Sequence, residues 1–238
     1  MAPEFLSHLE ELRKRLIVSA IAFGLGAILC YFFSGRLIEY LIHPLHRFEN
    51  AELIFQTPYE AFLTHLKVAG LGGLVLSSPV LFTQMWLFVS PGLYEQEKKS
   101  VIPLIVVSFL LFLCGTGFAY YLVIPLGLHF LLSFQTESLR PLLAIGPYFS
   151  FLIGMIIAFG VLFDFPVFII GVVRLGITDS STLRKARKTI IVIIFIAAAI
   201  LTPSPDPISQ LLLAVPLLVL FEVSLFIAKC IERQKSKA

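Results

Sequence analysis

Residues 101–125 read VIPLIVVSFLLFLCGTGFAYYLVIP, without one charged side chain. A helix needs about 20 apolar residues to cross the ~30 Å hydrocarbon core of a bilayer, so this stretch is long enough to span one. Comparable apolar runs lie on either side, near 16–34, 67–89, 148–173, 189–201 and 208–228. The whole chain of 238 residues is 58% apolar and 14% charged, with a mean hydropathy of +0.94. Soluble domains carry about 25% charged residues because their surface must face water. The expected fold is therefore an all-α membrane protein, a single integral domain over residues 1–238 with six transmembrane helices.

Spans five and six are expected to be short. About 13 residues at ~1.5 Å each cover only ~20 Å, and the sixth run carries Gln210 near its start and Pro216 inside. Such a pair is expected to tilt its neighbours or thin the bilayer locally. Between them, Thr202-Pro203-Ser204-Pro205-Asp206-Pro207 holds three prolines, which favours two helices over one re-entrant hairpin. Orientation follows from the basic residues, which concentrate on the cytoplasmic side. With six spans, 14 of the 18 fall on the side of both termini, and only Arg36, Arg47, Lys67 and Arg140 fall on the other. Both termini are thus expected inside, with outer loops at 35–66 and 126–147. The first loop is long enough to fold into a cap.

Several function classes lose their footing at once. Cys30, Cys114 and Cys230 form no CxxC or His/Cys spacing, which argues against a zinc site or disulfide framework. No Walker loop, GxSxG or HExxH occurs, and with no nucleophile–base pair an intramembrane enzyme is disfavoured; no cofactor is expected. The basic residues sit at helix ends rather than along an aromatic-studded face, which argues against nucleic acid. The apolar run after Arg13-Lys14-Arg15 has no small-residue cleavage site behind it and reads as a retained anchor.

Ionisable groups inside apolar runs are costly and therefore informative. Asp164, in Phe163-Asp164-Phe165-Pro166, lies inside the fourth span, where Pro166 deprives the Leu162 carbonyl of its helical donor. It reads either as a proton, ligand or partner-helix site or as a neutral acid bonded to a neighbouring helix. Glu222 in the last span reads as a snorkelling or interhelical residue, and Gln210 as an interhelical donor. At the N-terminus, Ser7-x-x-Glu10 fits a capping box, while Glu10 and Glu11 have Lys14 and Arg15 at i+4. The box occupies Glu10 more fully, which leaves Glu11 as the acid available to a partner. The inner loop Ser90-Pro91-Gly92-Leu93-Tyr94-Glu95-Gln96-Glu97-Lys98-Lys99 sets two further acids beside its lysines. Carboxylates at that interface suit a cationic ligand, which arginine would engage at two points.

These pieces resemble TatC, the multispanning receptor component of the twin-arginine protein translocase, from about residue 5 to 228. The resemblance is carried by His8-Leu9-x-Glu11-Leu12-Arg13-x-Arg15-Leu16, Ser78-Pro79-Val80-Leu81 and Phe88-Val89-x-Pro91-Gly92-Leu93-Tyr94-x-x-Glu97. Phe159-Gly160-x-x-Phe163-x-x-Pro166, Gly176-Ile177 with Leu183-Arg184-Lys185, and Leu201-Thr202-Pro203 with Asp206, Ser209 and Gln210 complete it. It implies a non-enzymatic transporter of folded proteins that is driven by the proton-motive force. Its implied partners are twin-arginine signal peptides, small single-span TatA/TatB-type subunits and further copies of the chain. It also implies signal-peptide binding by Glu11 and Glu97, with Phe88 and Arg13 around them, and functional sensitivity at Pro44 and Asp206. The family usually carries Glu where this chain has Asp164, one methylene shorter. The alternative reading of the residues is a proton-coupled small-solute transporter with Asp164 as coupling acid. The absence of a transit peptide favours the plasma (inner) membrane of a prokaryote.

Overall fold

The computed structural model describes residues 2–47, 52–89, 101–133, 142–174, 178, 180–201 and 207–235. The chain begins with α1 (Ala2–Phe32) and α2 (Ser34–Ile42), then β1 (Glu52–Ile54), α3 (Glu60–Val89) and α4 (Val101–Phe118). After these come α5 (Ile124–Leu132), β2 (Leu142–Ala144), α6 (Ile145–Phe163) and α7 (Phe165–Arg174), followed by α8 (Ser180–Lys185), α9 (Arg187–Leu201) and α10 (Pro207–Lys235). The chain packs as two compact units, one of Met1–Arg47, Ala51–Leu110 and Leu142–Ile153, the other of Phe48–Asn50, Leu111–Pro141 and Gly154–Ala238. Among the described residues five stretches are long and apolar enough to cross a membrane: His8–Phe32, Glu60–Val89, Ile102–Leu132, Ile145–Val173 and Leu213–Cys230.

Several expectations are corrected. The fold is not purely helical, because β1 and β2 pair in parallel over Glu52–Ile54 and Leu142–Ala144. This short ladder satisfies backbone groups that two connecting segments would otherwise leave open. Those segments are also shorter than the loops expected at 35–66 and 126–147: α2 fills the start of the first, and α3 begins at Glu60 rather than near 67. The third span runs on to Leu132 through a π-helical turn at Ala119–Val123, where the Ile124 N–H reaches the Ala119 carbonyl. That wider turn immediately precedes Pro125, whose ring clashes with a normal i−4 carbonyl. The expected capping box at Ser7 does not mark the helix start, since α1 already begins at Ala2. Finally, α10 is not short: it continues through Pro216 for 29 residues. Only α9 stays short, its 15 residues reaching ~22 Å at ~1.5 Å each.

In the first unit α1 and α3 meet backbone to backbone. A Cβ on Gly26 would lie 2.9 Å from the Gly73 carbonyl oxygen, and one on Gly73 would lie 2.5 Å from the Ala27 amide nitrogen. Lipid tails are as apolar as leucine, so helices in a membrane gain from close contact between small residues rather than from hydrophobic burial. Further along α3, Pro79 has no N–H for the carbonyl of Val75. The Ser78 hydroxyl donates to that carbonyl at 2.7 Å and closes the gap. Trp86 Nε1–H donates to the buried Ser108 hydroxyl at 3.0 Å, which ties α3 to α4.

At the opposite end of α1 the same unit is held by polar contacts. The Tyr148 hydroxyl donates to the Leu41 carbonyl at 3.0 Å, near the end of α2, where carbonyls lack helical partners. Ser34 gives its proton to the Tyr31 carbonyl at 2.6 Å. Its oxygen therefore accepts from His65 Nδ1, 2.8 Å away. Lys67 Nζ donates to Ser150 Oγ at 2.8 Å. In the second unit, Gly115 faces the Phe159 carbonyl and Gly160 faces the Phe112 ring, so α4 and α6 also cross closely. Phe118 packs on Phe159 and Phe163 there, with ring centroids 5.7 and 5.3 Å apart.

Gly73→Leu is expected to separate α1 from α3 and cost at least about 1–3 kcal/mol, seen as a lower midpoint in thermal unfolding of the purified protein. Gly70→Ala, where the added Cβ would meet nothing within 4 Å, should not lower the midpoint. Ser78→Ala, which strips the Val75 carbonyl of its donor, should cost about 1–2 kcal/mol in the same measurement.

Candidate functional site

The first four turns of α1 repeat charge at helical spacing, and the structure turns one face of them toward the last turns of α3. Glu10, Glu11, Lys14, Arg15 and Val18 line an open groove with Gln84 of α3, about 450 Å³ in volume. Glu11 is partly exposed and takes the i+4 pairing expected of it. Its Oε1 accepts from Arg15 Nη2 at 3.1 Å, the two side chains being 32% and 29% exposed. The other arm of the same guanidinium, Nη1, donates to Gln84 Oε1 at 3.2 Å. One turn beyond Gln84, Phe88 stacks on the His8 ring with centroids 4.6 Å apart and planes at 26°. Arg13 is exposed and does not line the groove. It follows Glu11 by two residues, about 200° round the helix.

The structure thus brings Glu11 and Phe88 to the same end of the α1–α3 pair. Glu97 lies outside the described residues, as does Asp206. Pro44 is buried just after α2, next to the polar contacts at the other end of α1. Arg15 and Gln84 are groove members that sequence reading missed. Gln84 left a signal, a polar side chain four residues before Phe88 in an apolar run, and Arg15 was already the i+4 partner of Glu11.

Three polar residues sit in the second unit. Asp164 occupies the turn between α6 and α7, where its amide bonds the Val161 carbonyl at 3.1 Å and its own carbonyl accepts from Val167 and Phe168 at 3.0 and 3.1 Å. The helix tightens there to accommodate Pro166. Asp164 Oδ1 is buried with no hydrogen-bond partner among the described residues. Gln210 Nε2 donates to the Phe195 carbonyl at 2.9 Å, which joins α10 to α9. Glu222 forms an ion pair with Arg187 at the start of α9, a partner that reading the last span alone did not suggest. Among the described residues no three His, Cys, Asp or Glu side chains gather as metal ligands would.

The profile of the family described as Sec-independent protein translocase protein (TatC) matches residues 7–216. The chain belongs to the TatC family. A TatC protein of Magnetococcus marinus is 43% identical over 234 residues, covering 98% of this chain and 86% of the relative. One from Aquifex aeolicus is 39% identical over 97% of this chain and 96% of its own length. A crystal structure of the twin arginine translocase receptor TatC in DDM aligns with a TM-score of 0.84 at 38% identity, over 93% of this chain and 99% of that one. A second receptor structure gives 0.83 at 39% identity, over 94% and 98%. The TatC match takes in the groove and its Phe88 end, the Asp164 turn and Gln210, whereas Glu222 lies beyond the residues it covers.

The Arg187–Glu222 pair is about half exposed, so a double-mutant cycle with Arg187→Gln and Glu222→Gln should return a coupling below about 1 kcal/mol. Gln210→Leu should cost a similarly small amount in thermal unfolding, about 0.6 kcal/mol.

Proposed function

We propose that this chain is a twin-arginine signal-peptide receptor and the core of a translocase that moves folded proteins across a membrane on the proton-motive force. The carrying observation is the groove at one end of the α1–α3 pair. It presents the partly exposed carboxylate of Glu11 beside Phe88 in a chain of the TatC family. A carboxylate is the partner a guanidinium engages at two points, and an aromatic neighbour gives the apolar part of a signal a surface to lie on. In this reading Glu11 takes one arginine and Glu97 the other, with Arg13 in the surrounding motif. Pro44 and Asp206 act on the opposite face, and Asp164, Gln210 and Glu222 serve contacts with partner helices.

The same reading places residues 1–238 in the inner membrane of a prokaryote as one integral domain. It has six spans and both termini in the cytoplasm, in keeping with the 14-to-4 division of basic residues. The six spans count α9, with the membrane drawn thin around it. The partners are cargo signal peptides and small single-span TatA/TatB-type subunits, within a complex that holds further copies of the chain. Membership of a translocase family leaves the solute-transporter reading of Asp164 without support.

The test is cross-linking of the full chain in its membrane to a signal peptide carrying Arg-Arg or Lys-Lys. Arg-Arg should cross-link in preference. Glu11→Gln and Glu97→Ala should each remove one charge-assisted contact of about 1.5–3 kcal/mol, a loss of about ten- to a hundredfold, while Glu95→Ala should not. Equal cross-linking of Glu95→Ala and Glu97→Ala would cancel the assignment of Glu97.

A further inference from the structure

The carboxylate that the receptor reading offers to a visiting arginine already holds one. Arg15 spreads its guanidinium between two helices, one arm on Glu11 Oε1 at 3.1 Å and the other on Gln84 Oε1 at 3.2 Å. Both members of the ion pair are roughly two-thirds covered, and the second arm pins the arginine to α3. It is therefore better fixed than an exposed i,i+4 pair, whose long side chains swing freely. Among the described residues the charged groups of the groove are Glu10, Glu11, Lys14 and Arg15, two of each sign. Charge alone does not tell a guanidinium from an ammonium, so geometry has to discriminate between them.

We propose that Arg15 is a resident competitor for Glu11, which a ligand must displace and which thereby sets the preference for guanidinium over ammonium. The proposal rests on the receptor reading and specifies how that groove selects its ligand. Among the described residues Glu11 Oε2 receives no hydrogen bond, so Arg15 holds one of the two carboxylate oxygens and leaves the other open to a ligand in this reading. A lysine ammonium acts as a point charge. It reaches the open oxygen beside the positive charges of Arg15 and Lys14 and lacks the planar fork needed to take both oxygens. A guanidinium has that fork, and occupying both oxygens expels the Arg15 arm. The expelled arginine is not stranded, because Gln84 keeps its other arm and Glu10 lines the same groove. The exchange therefore swaps one guanidinium for another at Glu11 without burying an unpaired charge.

The experiment measures affinity of the full-length protein in lipid nanodiscs for a fluorescent synthetic peptide with Arg-Arg ahead of an apolar stretch, and for its Lys-Lys counterpart. Arg15→Gln is expected to bind the Arg-Arg peptide about threefold tighter and the Lys-Lys peptide about tenfold tighter, so the preference shrinks. Gln84→Ala removes the contact that fixes Arg15 beside Glu11. It should loosen the resident's hold, tighten Arg-Arg binding by a smaller factor than Arg15→Gln does, and have no effect once Arg15 is already Gln. Should Arg15→Gln fold poorly, Arg15→Lys keeps the charge, loses the two-point hold and should move the preference the same way by a smaller factor. Weaker Arg-Arg binding in Arg15→Gln, or an unchanged preference, overturns the proposal and leaves Arg15 as a residue that merely positions Glu11. If the wild-type protein itself shows no preference for Arg-Arg, the receptor reading fails and the proposal falls with it.

Discussion

Hydrocarbon offers no hydrogen bonds, so every peptide group that a helix carries into it must find its partner within the protein. Prolines interrupt this chain inside helices or at their joints, and each removes a backbone donor. The local structure answers in different ways. Below Pro79 a serine hydroxyl stands in for the missing amide. Ahead of Pro125 the helix widens to a π turn. At Pro166 it stops, turns at Asp164 and starts again as α7. The Asp164 carboxyl sits at that joint, so its placement follows from the proline as much as from any partner it serves.

The second constraint is that membrane helices cannot be driven together by the hydrophobic effect. The close crossings therefore fall where side chains are absent, at Gly26 with Gly73 and at Gly115 and Gly160 with their phenylalanine neighbours. Much of the apolar surface of α1 stays exposed, including Leu16, Ile21, Leu25 and Phe32, as suits a helix bathed in lipid. Polar contacts gather instead near its two ends. One end carries the groove, and the other carries the Tyr148, Ser34 and Lys67 bonds.

Much of this was legible in the sequence because the bilayer imposes a length and a composition that any reader can count. Five of the six expected runs fall in stretches long enough to cross a membrane, and α9 came out as short as its apolar stretch promised. The strand pair was not legible, since three residues at each of two positions 90 apart carry no periodicity of their own. Pro216 misled for a related reason. A proline shortens a helix only if nothing re-satisfies its turn, and tertiary context decides that. At the groove, spacing on one helix placed Glu11 beside Arg15. The bond that gives the pair its fixed geometry comes from Gln84, 69 residues away, which no local pattern could announce.

The glycine contact also has a mechanical side. Where Gly26 and Gly73 touch, nothing larger than the Ala27 methyl lies between the backbones, so this crossing sets how near α1 can lie to α3. Along α1 it stands 15 residues from Glu11 and six from Phe32, ~22 Å and ~9 Å at ~1.5 Å per residue. The groove thus lies on the longer arm from the crossing, where a given change of crossing angle would shift α1 more than it would beside α2.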